Sequence, residues 1–182
     1  MSHSEKIELF KEATIKFNKN HNLISRKNTD KIIDEAIEEA TALTKHLNQY
    51  KNILDIGTGS GIPGIPLAIF NENKNIYLSE KNNKKNYHLK KIIKLLEIEN
   101  AITIGSANKN TKINKKVDCV VTKAFASTKK TIDIANSFLE KPFTLMLLKG
   151  KLKTINKEIG EANISKENYE IIKIENKKEK HI

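Results

Sequence analysis

Between Ser4 and Phe17 the apolar residues Ile7, Phe10, Ala13 and Phe17, with Thr14, recur at helical spacing, and Ser4 is placed to cap them. Asn18-Lys19-Asn20-His21-Asn22 interrupts that pattern. A second helix, capped by Asn28 or Thr29, is predicted to run to about Leu47, with Ile33, Ala36, Ile37, Ala40, Leu43 and Leu47 on one stripe. From Asn52 the period changes. Ile53-Leu54-Asp55-Ile56 reads as a short buried strand, followed by glycines and a helix starting near Pro63 or Pro66. Further strands are predicted at Ile76–Leu78, Ala101–Ile104, Val117–Val121 and Phe143–Leu148. Between them lie a helix whose apolar positions are Tyr87, Leu89, Ile92, Ile93, Leu95 and Leu96, and another over about Ser127–Leu139. A polar helical stretch follows Gly150, then an apolar segment at Tyr169–Ile174 and a charged end from Lys177 to Ile182.

Strands alternating with helices imply an α/β fold: a doubly wound, mostly parallel sheet with helices on both faces. The expected division is a small helical N-terminal cap over residues 1–48 and a single compact domain over 49–182, with no repeat and no Gly-, Pro- or Ser-rich linker.

Composition narrows the class. The 182 residues suit one ordinary domain, and 38% hydrophobic with 30% charged residues can form a core. No apolar run approaches the roughly 18 residues of a membrane span, and Met1–Phe10 lacks a signal-peptide core, so a cytoplasmic protein without membrane contact is expected. One cysteine, Cys119, excludes an internal disulfide and a Cys-rich zinc module, and its place in an apolar strand reads as a small buried hydrophobe. His3, His21, His46, His88 and His181 are scattered and read as surface or loop residues, so no metal site is expected. The net charge of +11 suits a polyanionic partner. Only Arg26 among 33 basic residues is arginine, however, so a lysine bias spread over a solvated surface explains the charge equally well.

The sharp signal is Leu54-Asp55-Ile56-Gly57-Thr58-Gly59-Ser60-Gly61-Ile62-Pro63-Gly64. Four of the chain's seven glycines fall in eight residues directly after a buried strand, where backbone can approach a ligand closely. Gly59-x-Gly61-x-x-Gly64 matches the dinucleotide pattern, with Glu80 as a ribose acceptor. Asp55 speaks against a pyrophosphate, which a carboxylate repels. The same carboxylate suits a ligand with an ammonium and a sulfonium, and S-adenosylmethionine has both.

The chain resembles a specific family at Leu54–Leu67 (LDIGTGSGIPGIPL), Glu80 with Lys84-Lys85, Thr122–Ser127 (TKAFAS), Leu148-Lys149-Gly150 and Phe17-Asn18-x-x-x-Asn22-Leu23. Together these look like the bacterial small-subunit ribosomal RNA methyltransferase G family, also called glucose-inhibited division protein B. The resemblance spans about residues 17–150. It implies the class I S-adenosylmethionine-dependent methyltransferase fold and methylation of guanine N7 in small-subunit (16S) rRNA. It also implies cofactor contacts at Gly57, Ile62, Asn108, Lys109 and Lys123, to which Asp55, Gly59, Gly61 and Glu80 are added from general methyltransferase chemistry. Departures from the family pattern are Lys123 for arginine, Ala107 for arginine, Lys109 for an acid, Ala36 and Glu39 for a His-x-x-Asp pair, and a chain that stops near His181, where a closing strand would begin.

Guanine N7 has a free lone pair, so no general base is expected, and the chain offers no Ser-His-Asp or Cys-His set. Lys123 is the expected positioning residue, exposed and therefore of little weight for stability. Lys84, Lys85, Phe125 and Lys149 are expected RNA contacts, with Lys81, Lys90, Lys91 and Lys94 on the same helix. For Phe125, packing on the sheet edge stands beside base stacking. The expected partner is small-subunit rRNA or its ribosomal particle, met by a monomer. A degenerate RNA-binding protein, a methyltransferase acting on a small molecule or protein, and a dinucleotide-dependent oxidoreductase remain as alternatives.

Overall fold

The computed structural model describes residues 1–21, 23–25, 27–174 and 180–181, the last two by their backbone. Asn22 of the N-terminal motif, Arg26, and residues 175–179 and Ile182 of the charged end lie outside the described residues.

In chain order the elements are α1 (His3–His21), α2 (Thr29–Thr44), β1 (Asn52–Ile56), α3 (Gly64–Phe70), β2 (Asn75–Ser79), α4 (Asn83–Leu95), β3 (Ala101–Ile104), β4 (Cys119–Lys123), α5 (Thr128–Asn136), β5 (Thr144–Leu148), α6 (Leu152–Ala162), β6 (Lys173–Ile174) and β7 (Lys180–His181). Five parallel strands form one sheet in the order β3-β2-β1-β4-β5. The order reverses beside β1, so the carboxyl ends of β1 and β4 flank the switch point where such sheets hold ligands. The short antiparallel pair β6/β7 stands apart from the ladder, with β7 close to β5.

Strand alternation assigns the two faces. Ile53, Ile76, Leu78, Cys119 and Val121 face a core shared with Phe10, Ile33, Leu43, Ile65 and Leu89, so α1 to α4 cover one side. Leu54, Ile56, Tyr77 and Val120 face the other side, packed with Ile113, Ile134 and Phe138. There the connection over residues 105–118 carries no helix, which leaves Ile102 of the edge strand 54% exposed.

Four sequence expectations change in detail. Ser2, not Ser4, caps α1: its Oγ accepts from the Glu5 N–H while its own N–H donates to Glu5 Oε2 at 2.7 Å. The helix also runs through the expected break, because Asn18 is buried and useful: its Oδ1 accepts from the Ile24 N–H and its Nδ2 donates to Thr29 Oγ1. Strand β4 starts and ends two residues later than the apolar run, because Thr122 and Lys123 ladder onto Leu147 and Leu148 through backbone that ignores side-chain polarity. His88 is a surface residue in the sequence reading, yet it is buried beside Phe17 and Thr14, and burial, with His21 nearby, pushes its pKa down to about 4. Cys119 is buried as expected, its thiol pushed up to about 12 by burial and then by Asp118.

Candidate cofactor and transfer site

The glycine loop leaves β1 and is held against the end of β2, where the Gly57 and Thr58 N–H groups both donate to the Ser79 carbonyl at 2.9 and 3.1 Å. Gly57, Gly59 and Gly61 have φ of +74°, +60° and +97°, a region that disfavours L side chains. At Gly64 the requirement is space: a Cβ there would lie 2.2 Å from Leu78 Cδ2 and 2.7 Å from Asp55 Oδ2. At Gly59 there is room: beyond its chain neighbours, a Cβ there would meet only the Gly57 carbonyl within 4 Å, at 3.9 Å.

Glu80, one residue beyond β2, reaches this loop. Its Oε2 accepts from the Gly59 N–H at 3.1 Å and its Oε1 from the Asn82 N–H at 2.7 Å. The Asn86 side chain on α4 holds the Glu80 carbonyl at 2.7 Å. Each carboxylate oxygen keeps capacity for a further donor.

Asp55 does something other than expected. It shares the inward face of β1 with Ile53, is fully buried, and accepts from the Gly64 N–H at 2.9 Å through Oδ2. Burial raises its pKa to about 7, against the bonds from Thr58 and Gly64 and with help from Glu80. It therefore braces the loop from beneath and presents no surface to a ligand. Ile62 is likewise turned inward, 9% exposed and part of the core.

The second half of the site lies beyond β4 and β5. Lys123, the last residue of β4, pairs with Glu39 Oε2 at 2.6 Å. Glu39 is 1% exposed on α2, so the lysine is not the free surface charge the sequence suggested. Helical spacing from Ala36 carried the signal for Glu39, since it places that carboxylate on the apolar stripe. Ala124 follows in the left-handed region at φ +50°, a strained conformation for a residue with a Cβ. Phe125 packs on the first glycine: a Cβ on Gly57 would lie 2.3 Å from its Cδ2. Phe125 as a residue is still 37% exposed.

Lys149 is tied to partners of its own. Its Nζ donates to the Ala126 carbonyl and to Glu158 Oε2, both at 2.8 Å. Glu158 also accepts from the Thr128 N–H and Oγ1 at 2.9 and 2.8 Å, and although burial works the other way, these bonds hold its pKa below the usual carboxylate range. Glu39, Lys123, Phe125, Lys149 and Glu158 line a pocket of about 300 Å³. Asn108 and Lys109 stand farther out on an exposed turn after β3, held by Thr111 and Ser106. Lys84 and Lys85 begin α4, where their N–H groups donate to the capping Asn82 Oδ1.

A sequence model described as rRNA small subunit methyltransferase G matches residues 3–182. This chain belongs to that family. A protein of Brachyspira hyodysenteriae named ribosomal RNA small subunit methyltransferase G is 36% identical over 181 residues, 98% of this chain and 88% of that protein. A protein of Borrelia garinii subsp. bavariensis with the same name is 32% identical over 164 residues, 86% of this chain and 76% of that one. Among solved structures, M. jannaschii TYW2 in complex with AdoMet superposes with a TM-score of 0.56 at 23% identity, covering 80% of this chain and 72% of that one. That likeness places the sheet among class I methyltransferase folds. No helix among the described residues is long and apolar enough to cross a membrane.

Proposed function

We propose that this chain is a cytoplasmic monomer that methylates N7 of a guanine in small-subunit rRNA, free or in its particle, with S-adenosylmethionine as methyl donor. The observation that carries the cofactor assignment is the pairing of Glu80 with the glycine loop, at 3.1 Å from the Gly59 N–H, in a chain of this family. The loop fits such a ligand, because there is room at Gly59 and a carboxylate with spare acceptor capacity stands beside it. Gly57, Gly59 and Gly61 would line the cofactor's path and Glu80 would accept from its ribose hydroxyls. Ile62 and Asp55 would shape the loop from inside, and Asn108 and Lys109 would border the adenine side.

Bound there, the cofactor supplies an electrophilic methyl group on a sulfonium. Guanine N7 needs no deprotonation, so the chain's work is alignment of nucleophile and methyl group. Positive charge passes from sulfur to purine, and a lysine already balanced by Glu39 suits a site whose net charge hardly changes. Lys123 and Phe125 would bound the space the base enters.

Isothermal titration of the wild-type chain with S-adenosylmethionine, S-adenosylhomocysteine and NAD tests the cofactor assignment. The two sulfur ligands are expected to bind and NAD is not. Glu80→Ala should weaken binding at least about tenfold, because charge-assisted bonds are worth roughly 1.5–3 kcal/mol. Binding of NAD alone would overturn the assignment in favour of a dinucleotide enzyme.

A further inference from the structure

Helix α4 carries five lysines (Lys84, Lys85, Lys90, Lys91 and Lys94), Lys81 precedes it, and no acidic residue occurs from Lys81 to Leu96. The other charged helices mix their signs: α1 has three glutamates among its lysines, α2 is acid-rich, α5 includes Asp133, and α6 carries Glu158 and Glu161. The lysine bias of the chain therefore does not account for α4, whose neighbours obey the same bias and still interleave acids. None of the ion pairs among the described residues involves a lysine of this helix.

The geometry sharpens the contrast. At about 100° per residue, Lys84, Tyr87, Lys91, Lys94 and Leu95 fall within roughly 100° of one another, on a single solvent-facing stripe. Tyr87 is 55% and Leu95 45% exposed, although the sequence pattern counts both among the apolar positions. The buried positions are His88, Leu89 and Ile92 instead. Lys91 Nζ stands 4.7 Å over the Tyr87 ring, so a cation and an aromatic face are presented together. The helix is also fixed relative to the site. Asn86 holds the Glu80 carbonyl, and Leu89 Cδ2 lies 3.1 Å from where a Gly61 Cβ would be.

We infer that the outer stripe of α4 is a docking surface for an RNA strand, with Lys84, Lys91 and Lys94 on its phosphates and an unpaired base or ribose against Tyr87. The lysines supply sequence-independent attraction by releasing counterions, and the ring supplies stacking that every base offers. Because α4 begins three residues after Glu80, a strand held along it is led to the end of the sheet where the glycine loop opens. The inference rests on the rRNA-methyltransferase reading and adds the surface on which the substrate is gripped.

The test is equilibrium binding of a small-subunit rRNA transcript in the presence of S-adenosylhomocysteine, between about 50 and 200 mM KCl. The combined variant Lys84→Gln, Lys91→Gln, Lys94→Gln should bind roughly tenfold or more weakly at the low-salt end. Its slope of log affinity against log salt should be shallower by about 2. Tyr87→Ala should lose roughly tenfold at every salt concentration with the slope unchanged, the signature of stacking. A control with the same charge change elsewhere, Lys16→Gln, Lys112→Gln, Lys153→Gln at exposed positions, should keep the wild-type slope. Equal loss in the control and the α4 variant would show diffuse attraction and overturn the inference, as would an α4 variant that binds like wild type. Calorimetry with S-adenosylhomocysteine runs alongside. Failure of the wild type to bind it refutes the cofactor reading, while the RNA arms report on α4 separately.

Discussion

Lys123 and Glu39 have to be considered as one unit. The carboxylate is 1% exposed and its lysine partner lies 2.6 Å away, so removing the amine strips a buried charge of a counterion. Lys123→Ala should therefore destabilise the chain by about 2 kcal/mol, visible as a fall of several degrees in thermal midpoint, whereas Lys123→Arg should retain most of the stability. An Ala variant that melts with the wild type would show that the pair contributes nothing. Asp55 gives a pH signature. Its folded pKa of about 7 lies above the ordinary 3.8, so the native state keeps a proton that the unfolded chain has lost. Its stabilising contribution is complete at low pH and declines as pH rises between about 4 and 7. Asp55→Asn cannot ionise, so its stability relative to wild type should rise from pH 5 to pH 8 in chemical denaturation. Parallel stability curves would contradict the burial of an ionisable Asp55. The sequence exposed both acids to view, but the partner of each lies on a different element. Asp55 was legible as a strand residue with chemistry, and only strand alternation into a packed face shows that it is buried beneath the loop.

At the scale of elements, the strand–loop–helix unit is the best test of why glycines recur. Gly64→Ala forces a methyl group to within 2.2 Å of Leu78 Cδ2, which two packed elements cannot both evade. Its cost should exceed roughly 2 kcal/mol, as for other overpacked cores. Gly59→Ala meets no such neighbour and should cost only about 1 kcal/mol, from its φ of +60°. Denaturant titration of the two variants should rank them in that order, and the reverse order would refute the packing derived for the loop. Most elements were legible because apolar periodicity changes cleanly at Asn52 and because buried parallel strands read as short apolar runs. Ends were less so. The Asn-rich end of α1 looks like a break until Asn18 is seen bonding the following turn, and β4 extends through Thr122 and Lys123 because its ladder is made by backbone.

For the whole molecule, the parallel α/β sheet and the switch point follow from the alternation of strands and helices, and the structure bears them out. What one-dimensional reading misses is pairing between distant segments. Lys149 looked free for RNA until α6 brought Glu158 to it, and the pocket beside β4 is bounded by α2 and α6, more than a hundred residues apart in the chain. Surface charge was legible as a total of +11 and as a row of lysines on one helix, but the exposure of Tyr87 and Leu95 beside those lysines is visible only in the fold. Single-turnover transfer of a labelled methyl group from S-adenosylmethionine to small-subunit rRNA, followed by mapping of the label, decides whether the chain methylates guanine N7. Label on N7 of one guanine, lost in Glu80→Ala, is the expected result. Tight cofactor binding without any transfer to rRNA or small-subunit particles, or label on another kind of acceptor, would contradict it.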